Sequence, residues 1–146
     1  MEVEIKLDST YTETKVIILT ADMNEEVRII AKKLSENIPD IITGIKNGKV
    51  EMFEENDLIQ VYANGGKVFA VTNKGEYALR KRLYEMEERL NQKQFVRISN
   101  SEVINLKKVE NFDLNFAGTI CVRLSNGTVT YVSRRYVKKI KKLLGL

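Results

Sequence analysis

FVRISNSEVINL, residues 95–106, decides how the chain is read. Val96-Arg97-Ile98-Ser99 alternates apolar and polar side chains at the strand period of two, Ser99-Asn100-Ser101 is a turn-forming triplet, and Val103-Ile104-Asn105-Leu106 resumes an apolar run. The segment therefore reads as two short strands around a polar turn. Phe95, Val103, Ile104 and Leu106 are its core candidates. Arg97 lies between two apolar neighbours, so it faces either solvent or an anionic partner.

The same grammar continues on both sides. Asn47-Gly48, Asn64-Gly65-Gly66 and Asn126-Gly127 precede the runs KVEMF, KVFAV and TVTYV, and such Asn-Gly pairs are tight-turn formers. Further strands are expected at LIQVYA (58–63), EYALR (76–80), FDLNF (112–116) and TICVRL (119–124). Residues 81–90 read as a helix with Leu83, Met86 and Leu90 on one side, while Tyr77 and Leu79 fit either a strand or an earlier helical turn.

The first part of the chain differs. VEIKL (3–7) and KVIIL (15–19) look like strands separated by a polar stretch, and a helix follows. Asp22 with Glu25 forms a variant capping box, Val27, Ile30, Ala31 and Leu34 share one helical face, and Asn37 and Pro39 end the helix. This predicts a small ββα unit over residues 1–43, which docks on the rest or pairs with a second copy of itself. Residues 44–146 form the second part. The expected fold class is mainly β, with an α+β N-terminal extension, one internal helix and one C-terminal helix.

The C-terminal stretch SRRYVKKIKKLLGL begins at Ser133 and carries six cations, Arg134, Arg135, Lys138, Lys139, Lys141 and Lys142, with no acid after Asp113. Wound at helical pitch, these fall within an arc of roughly 160°. Tyr136, Val137, Ile140, Leu143 and Leu144 occupy the other side. Two arginines in the first turn oppose the helix dipole, an arrangement that suits a bound phosphate. The bland alternative is a solvated basic face.

Charge is distributed unevenly. Residues 1–45 carry five Lys/Arg and nine Asp/Glu, net −4, whereas residues 46–146 carry nineteen and eleven, net +8. The positive potential belongs to the C-terminal part, as a polyanion binder requires. There is no histidine and only one cysteine, Cys121, so neither a Ser-His-Asp nor a Cys-His centre can be built. The acidic clusters Glu54-Glu55-Asp57 and Glu85-Glu87-Glu88 read as surface, and Gly65-Gly66-Lys67 lacks the rest of a phosphate-binding loop. A non-enzyme without metal, cofactor or small-molecule substrate is expected. The charged start MEVEIKLDST does not resemble a signal peptide, and a single cysteine points to a cytoplasmic location.

If the partner is DNA, the acidic segment RLYEMEERL would be repelled by phosphates and does not suit a recognition helix. Loops carried by a β scaffold suit better. Asn100 is fitted to adenine and Arg135 or Arg134 to guanine, while Ser99, Ser101, Tyr131 and Ser133 offer hydroxyls and Lys138 charge to phosphates.

Phe95, Arg97, Ser101 and Asn105, followed by a Gly-bearing hairpin and then Ser133-Arg134-Arg135-Tyr136 with Lys138-Lys139-Ile140, resemble the LytTR DNA-binding domain of bacterial transcription regulators. The resemblance covers roughly residues 44–146. It implies an elongated fold of antiparallel strands whose loops enter successive major grooves of promoter DNA, usually at paired direct-repeat sites. By position, Asn100 and Arg135 are implied as base readers, with Asn64 and Lys67 on a third DNA-facing loop. Ser101, Tyr131, Ser133 and Lys138 are implied at phosphates, and Arg97, Ser99 and Arg134 are expected there from their own chemistry. Many members have histidine where this chain has Ser99, and many carry a receiver domain, for which 43 residues are too few. A homodimer on DNA is implied, and a membrane-protein inhibitor is one candidate partner. Two other readings stand beside this one: a protein-interaction module, and a peripheral membrane protein using its basic terminal helix.

Overall fold

The structure, a computed structural model, describes residues 1–34, 41–114 and 118–146. The chain divides into two compact units, Met1–Ile38 and Pro39–Leu146.

Among the described residues of the first unit the one helix, α1 (Glu25–Leu34), carries Glu25 and Glu26 at its positive end and Lys32 and Lys33 at its negative end. Its N-cap is Asn24, whose side-chain oxygen accepts from the Val27 amide at 2.9 Å. The expected cap at Asp22 lies too far upstream, because only an Ncap side chain reaches the free N–H groups of the first turn. The expected helix end at Asn37 and Pro39 lies outside the described residues. The runs 3–7 and 15–19 belong to no strand. A strand exists only where its backbone finds a partner, and within one copy of this unit neither run has one. The turn between them does form: the Asp8 carboxylate accepts from the Thr10 amide (2.9 Å) and hydroxyl (2.7 Å).

Among its described residues the second unit holds ten strands and two α-helices. In chain order they are β1 (Ile41–Lys46), β2 (Lys49–Glu54), β3 (Leu58–Asn64), β4 (Lys67–Thr72), β5 (Gly75–Leu79), α2 (Leu83–Arg89), β6 (Phe95–Ser99), β7 (Glu102–Asn105), β8 (Val109–Asp113), β9 (Ile120–Leu124), β10 (Val129–Val132) and α3 (Arg134–Leu143). All pairings are antiparallel, in a seven-stranded sheet ordered β2-β1-β5-β4-β3-β7-β6 and a three-stranded sheet ordered β10-β9-β8.

Asn47-Gly48 turns with φ of 52° and 75° and Gly65-Gly66 with 59° and 79°, the left-handed pairs that two-residue hairpins require. The sequence reading missed β1. A boundary at 43/44 would cut this strand, which lies wholly in the second unit. Tyr77 and Leu79 belong to β5, not to a helix. The strand expected at 112–116 is displaced toward the N-terminus as β8, and residues 115 and 116 lie outside the described part.

The large sheet is apolar on both faces. Leu58, Val61 and Val103 join Phe95 and α2's Leu83 and Met86 in one core; Ile59, Val96, Ile98 and Ile104 join the small sheet and Ile140 of α3 in another. Adjacent residues of β7 point to opposite faces, as the pleat dictates, and in β3 a register shift between Leu58 and Gln60 lets Leu58 and Val61, three residues apart, share a face. The small sheet and α3 therefore pack behind β6 and β7, the strands that carry the Ser99–Ser101 turn.

Candidate nucleic-acid interface

Turns at one end of β3 and β7 meet there. The Ala63 amide donates to the Ser101 carbonyl at 2.8 Å, next to the Asn64–Lys67 turn, where Asn64 pairs with Lys67 across β3 and β4. On the other side of β6, the Ser133 amide donates to the Ile98 carbonyl at 2.9 Å and fixes the start of α3. The Arg135 guanidinium then reaches the Asn100 side-chain oxygen at 3.4 Å. Asn64, Asn100, Ser101, Ser133 and Arg135 are thus brought into one neighbourhood from three separate segments. Asn64, Lys67, Asn100, Ser101, Arg134, Arg135 and Lys138 are all exposed.

The turn that presents Asn100 is held from behind. Arg97 donates through Nε to the Ser99 carbonyl (2.7 Å), through Nη2 to the Asn100 carbonyl (2.6 Å) and through Nη1 to the Glu87 carboxylate (3.1 Å). Its guanidinium is therefore turned toward the protein, with the side chain 16% exposed. The cause is the acidic helix α2, which brings Glu87 to the back of the turn. Ser99 and Ser101 complete the turn: their hydroxyls lie 3.3 Å apart, and the Ser101 amide donates to the Ser99 hydroxyl at 3.2 Å.

Two polar links, one part-buried and one buried, extend this support. Glu102 accepts from the Gln60 amide at 3.0 Å and from the Thr130 hydroxyl at 2.8 and 2.9 Å, joining β3, β7 and β10. Asn105, fully buried, donates to the Leu58 carbonyl at 2.7 Å and accepts from the Lys107 amide at 3.0 Å. Both of its polar ends are satisfied inside the protein. The sequence reading did not single out Gln60, Glu102 or Thr130, since nothing in their local patterns marks them. The alternation of Thr130 with Val129 and Tyr131 places it on the inner face only once the partner sheet is known.

In α3, Tyr136, Val137, Ile140 and Leu144 pack on the core, and the six cations are exposed. Leu143, expected with the apolar side, is 46% exposed and lies at the edge of the packed arc. Ser133 occupies the N-cap but its side chain makes no capping bond, so its hydroxyl is not committed to the helix. Tyr131 is exposed on β10, on the face opposite Thr130. Cys121 is a half-buried thiol paired across the sheet with Tyr131.

The acidic clusters have structural roles. Glu55 accepts from the Asn91 amide at 2.6 Å, Asp57 from the Glu54 amide at 3.2 Å, and Glu85 from the Arg82 amide at 3.2 Å. Among the described residues no group of His, Cys, Asp and Glu is arranged to hold a metal, and no helix is long and apolar enough to cross a membrane.

Comparison with known proteins agrees with the fold. The LytTr DNA-binding domain family model covers residues 48–145. Two proteins named as HTH-type transcriptional regulators, from Staphylococcus aureus strains NCTC 8325 / PS 47 and MRSA252, are 30% and 29% identical over 147 residues, spanning 100% of this chain and 99% of theirs. A solved LytTr DNA-binding domain from Bacillus cereus superposes with a TM-score of 0.70 at 20% identity, over 73% of this chain and 97% of that one. Despite the relatives' name, α2 and α3 are not consecutive helices: five strands separate them. The match to the family model, over most of the second unit, shows that the chain belongs to the LytTr DNA-binding domain family.

Proposed function

We propose that this protein is a transcription regulator that binds specific double-stranded promoter DNA through turns on a β scaffold. Asn100 and Arg135 read base edges in a major groove, with Asn64 and Lys67 on the adjoining turn. Ser99, Ser101, Tyr131, Ser133, Arg134 and Lys138 set register on the phosphates. The observation that carries this reading is the convergence of Asn100 and Arg135, 35 residues apart in sequence and 3.4 Å apart in space, on an exposed surface beside the other five cations of α3. Such a pairing sets two readers of complementary type side by side. Arg97, which the sequence leaves between solvent and a phosphate, fits better as the residue that positions Asn100. The protein acts without enzymatic chemistry, in the cytoplasm, as a homodimer on its site, and a membrane-protein inhibitor is one route to its control.

The test is titration of the DNA upstream of its own gene against a scrambled duplex, over a range of salt. Arg135→Ala is expected to cost about 1–3 kcal/mol on the cognate duplex and to relax specificity at one base position. Lys138→Ala should weaken both duplexes alike and shallow the salt slope by about one. Equal affinity of the parent for the two duplexes would refute sequence-specific reading.

A further inference from the structure

The first unit leaves apolar side chains uncovered. Val3, Ile5 and Leu7 are 76%, 81% and 94% exposed, and Val16, Ile17, Leu19, Met23, Ile29 and Leu34 are exposed as well. Of the face of α1 that should pack, Val27 is buried, Ile30 is half-covered, and Ala31 and Leu34 face solvent. Nine such side chains in one small unit form the kind of exposed apolar surface that marks an interaction site. Soluble monomers rarely leave such an area open to water.

What covers this surface is indicated by the sequence of the first run. Val3-Glu4-Ile5-Lys6-Leu7 is self-complementary when read against itself in the antiparallel direction. Centred on Ile5, Val3 opposes the second copy's Leu7, and Glu4 opposes its Lys6, twice by symmetry. Within one chain Glu4 and Lys6 lie on the same face, 3.9 Å apart and both largely exposed. Opposite charges directly across an antiparallel pair stabilise it, and like charges destabilise it. A wholly different partner would have no reason to match this order of apolar, acidic, apolar, basic and apolar residues.

We propose that the N-terminal unit is a dimerisation arm: residues 3–7 of two copies pair antiparallel about Ile5, KVIIL at 15–19 flanks them, and the open faces of the two α1 helices cover the sheet. The turn at Asp8–Tyr11 is already set, with the Tyr11 amide on the Asp8 carbonyl at 3.3 Å, so the arms need only partners for their strands. The interface is isologous, with the same patch on both copies, as two-fold symmetry requires.

Sedimentation of the full chain at micromolar concentration tests this, and mass alone is read, so the outcome does not depend on DNA binding. The parent is expected to be a dimer and Ile5→Lys a monomer, with the thermal transition of the second unit unchanged. Glu4→Lys and Lys6→Glu, each placing like charges opposite one another twice, should each weaken the dimer about tenfold, and the double variant should restore it. A parent that stays monomeric throughout would overturn the proposal and leave the surface to another protein or to an intrachain contact. An Ile5→Lys variant that dimerises as the parent does, or a double variant no tighter than the single ones, would overturn it equally.

Discussion

Replacing Arg97 separates two roles that the sequence alone leaves open. In the structure its guanidinium makes two bonds to the carbonyls of Ser99 and Asn100, at 2.7 and 2.6 Å, and one to Glu87 at 3.1 Å. Hydrogen bonds from a charged group contribute roughly 1.5–3 kcal/mol each. Asn100 is exposed, so water takes over its carbonyl once the arginine is gone, and the net loss of turn order is nearer about 1–2 kcal/mol. If the turn then holds its binding geometry about a tenth of the time, affinity for cognate DNA falls about tenfold through that fraction alone. Arg97→Met, which keeps the aliphatic stem, is therefore expected to bind the cognate duplex about tenfold more weakly with an unchanged salt slope. Arg97→Lys should rescue little, because an ammonium has no planar fork to span two carbonyls. Amide hydrogen exchange at Ser99–Ser101 should quicken in both variants. Fluorescence anisotropy across a salt series decides between the roles: a slope shallower by about 0.9 in Arg97→Met, together with near-complete rescue by lysine, would mean a direct phosphate contact and refute the positioning role.

Two further outcomes follow from the packing of the second unit. A Cβ on Gly44 would lie 2.6 Å from the Tyr77 Cβ and 3.1 Å from Phe53, so Gly44→Ala should destabilise by about 1–3 kcal/mol, read as a lower urea midpoint at unchanged slope. The Tyr77 hydroxyl donates to Glu51, which raises its pKa above the ordinary 10.0, with burial adding to the shift. A raised folded-state value means that this contribution to stability is full below about pH 10 and is lost as pH rises through the folded pKa. The stability difference between the parent and Tyr77→Phe, measured by urea titration, should accordingly be constant at neutral pH and shrink in the alkaline range. A difference that grew with pH would contradict the sign of the shift.

The strands that follow Asn-Gly turns were legible because the turn and the alternation agree locally. β2, β4 and β10 lie where the sequence places them, and so do β6 and β7 around Ser99-Asn100-Ser101. β1 was missed for a tertiary reason. Its Gly44 breaks the strand signal in IITGIK, and the glycine is there because the Phe53 and Tyr77 rings, 4.9 Å apart, leave no room for a side chain. The N-terminal runs illustrate the converse: their strand pattern is strong, yet pattern alone supplies no hydrogen-bond partner. At the candidate interface, residue types were legible and roles were not. Asn100 and Arg135 stand out in sequence, but their approach depends on the Ser133–Ile98 bond that seats α3 on β6. Asn105 has the chemistry of a base reader and is buried as a structural clamp, which only the sheet register reveals.

These placements explain why an acidic helix serves a protein that meets DNA. Short polar turns are the mobile part of any fold, and ordering them on binding opposes affinity. Here the ordering is built in behind the surface. Glu87 draws Arg97 inward, Arg97 holds the carbonyls of the turn, and Glu102 links the next strand to Gln60 and Thr130. Arg135, on the outer side, has among the described residues only a long 3.4 Å contact to Asn100, which in the proposed reading a base edge replaces at little cost. The negative charge of α2 would repel phosphates if it faced them. Placed on the opposite face of the large sheet from α3, it instead pairs with Arg97, and in the proposed reading the six cations of α3 are left to meet the phosphates.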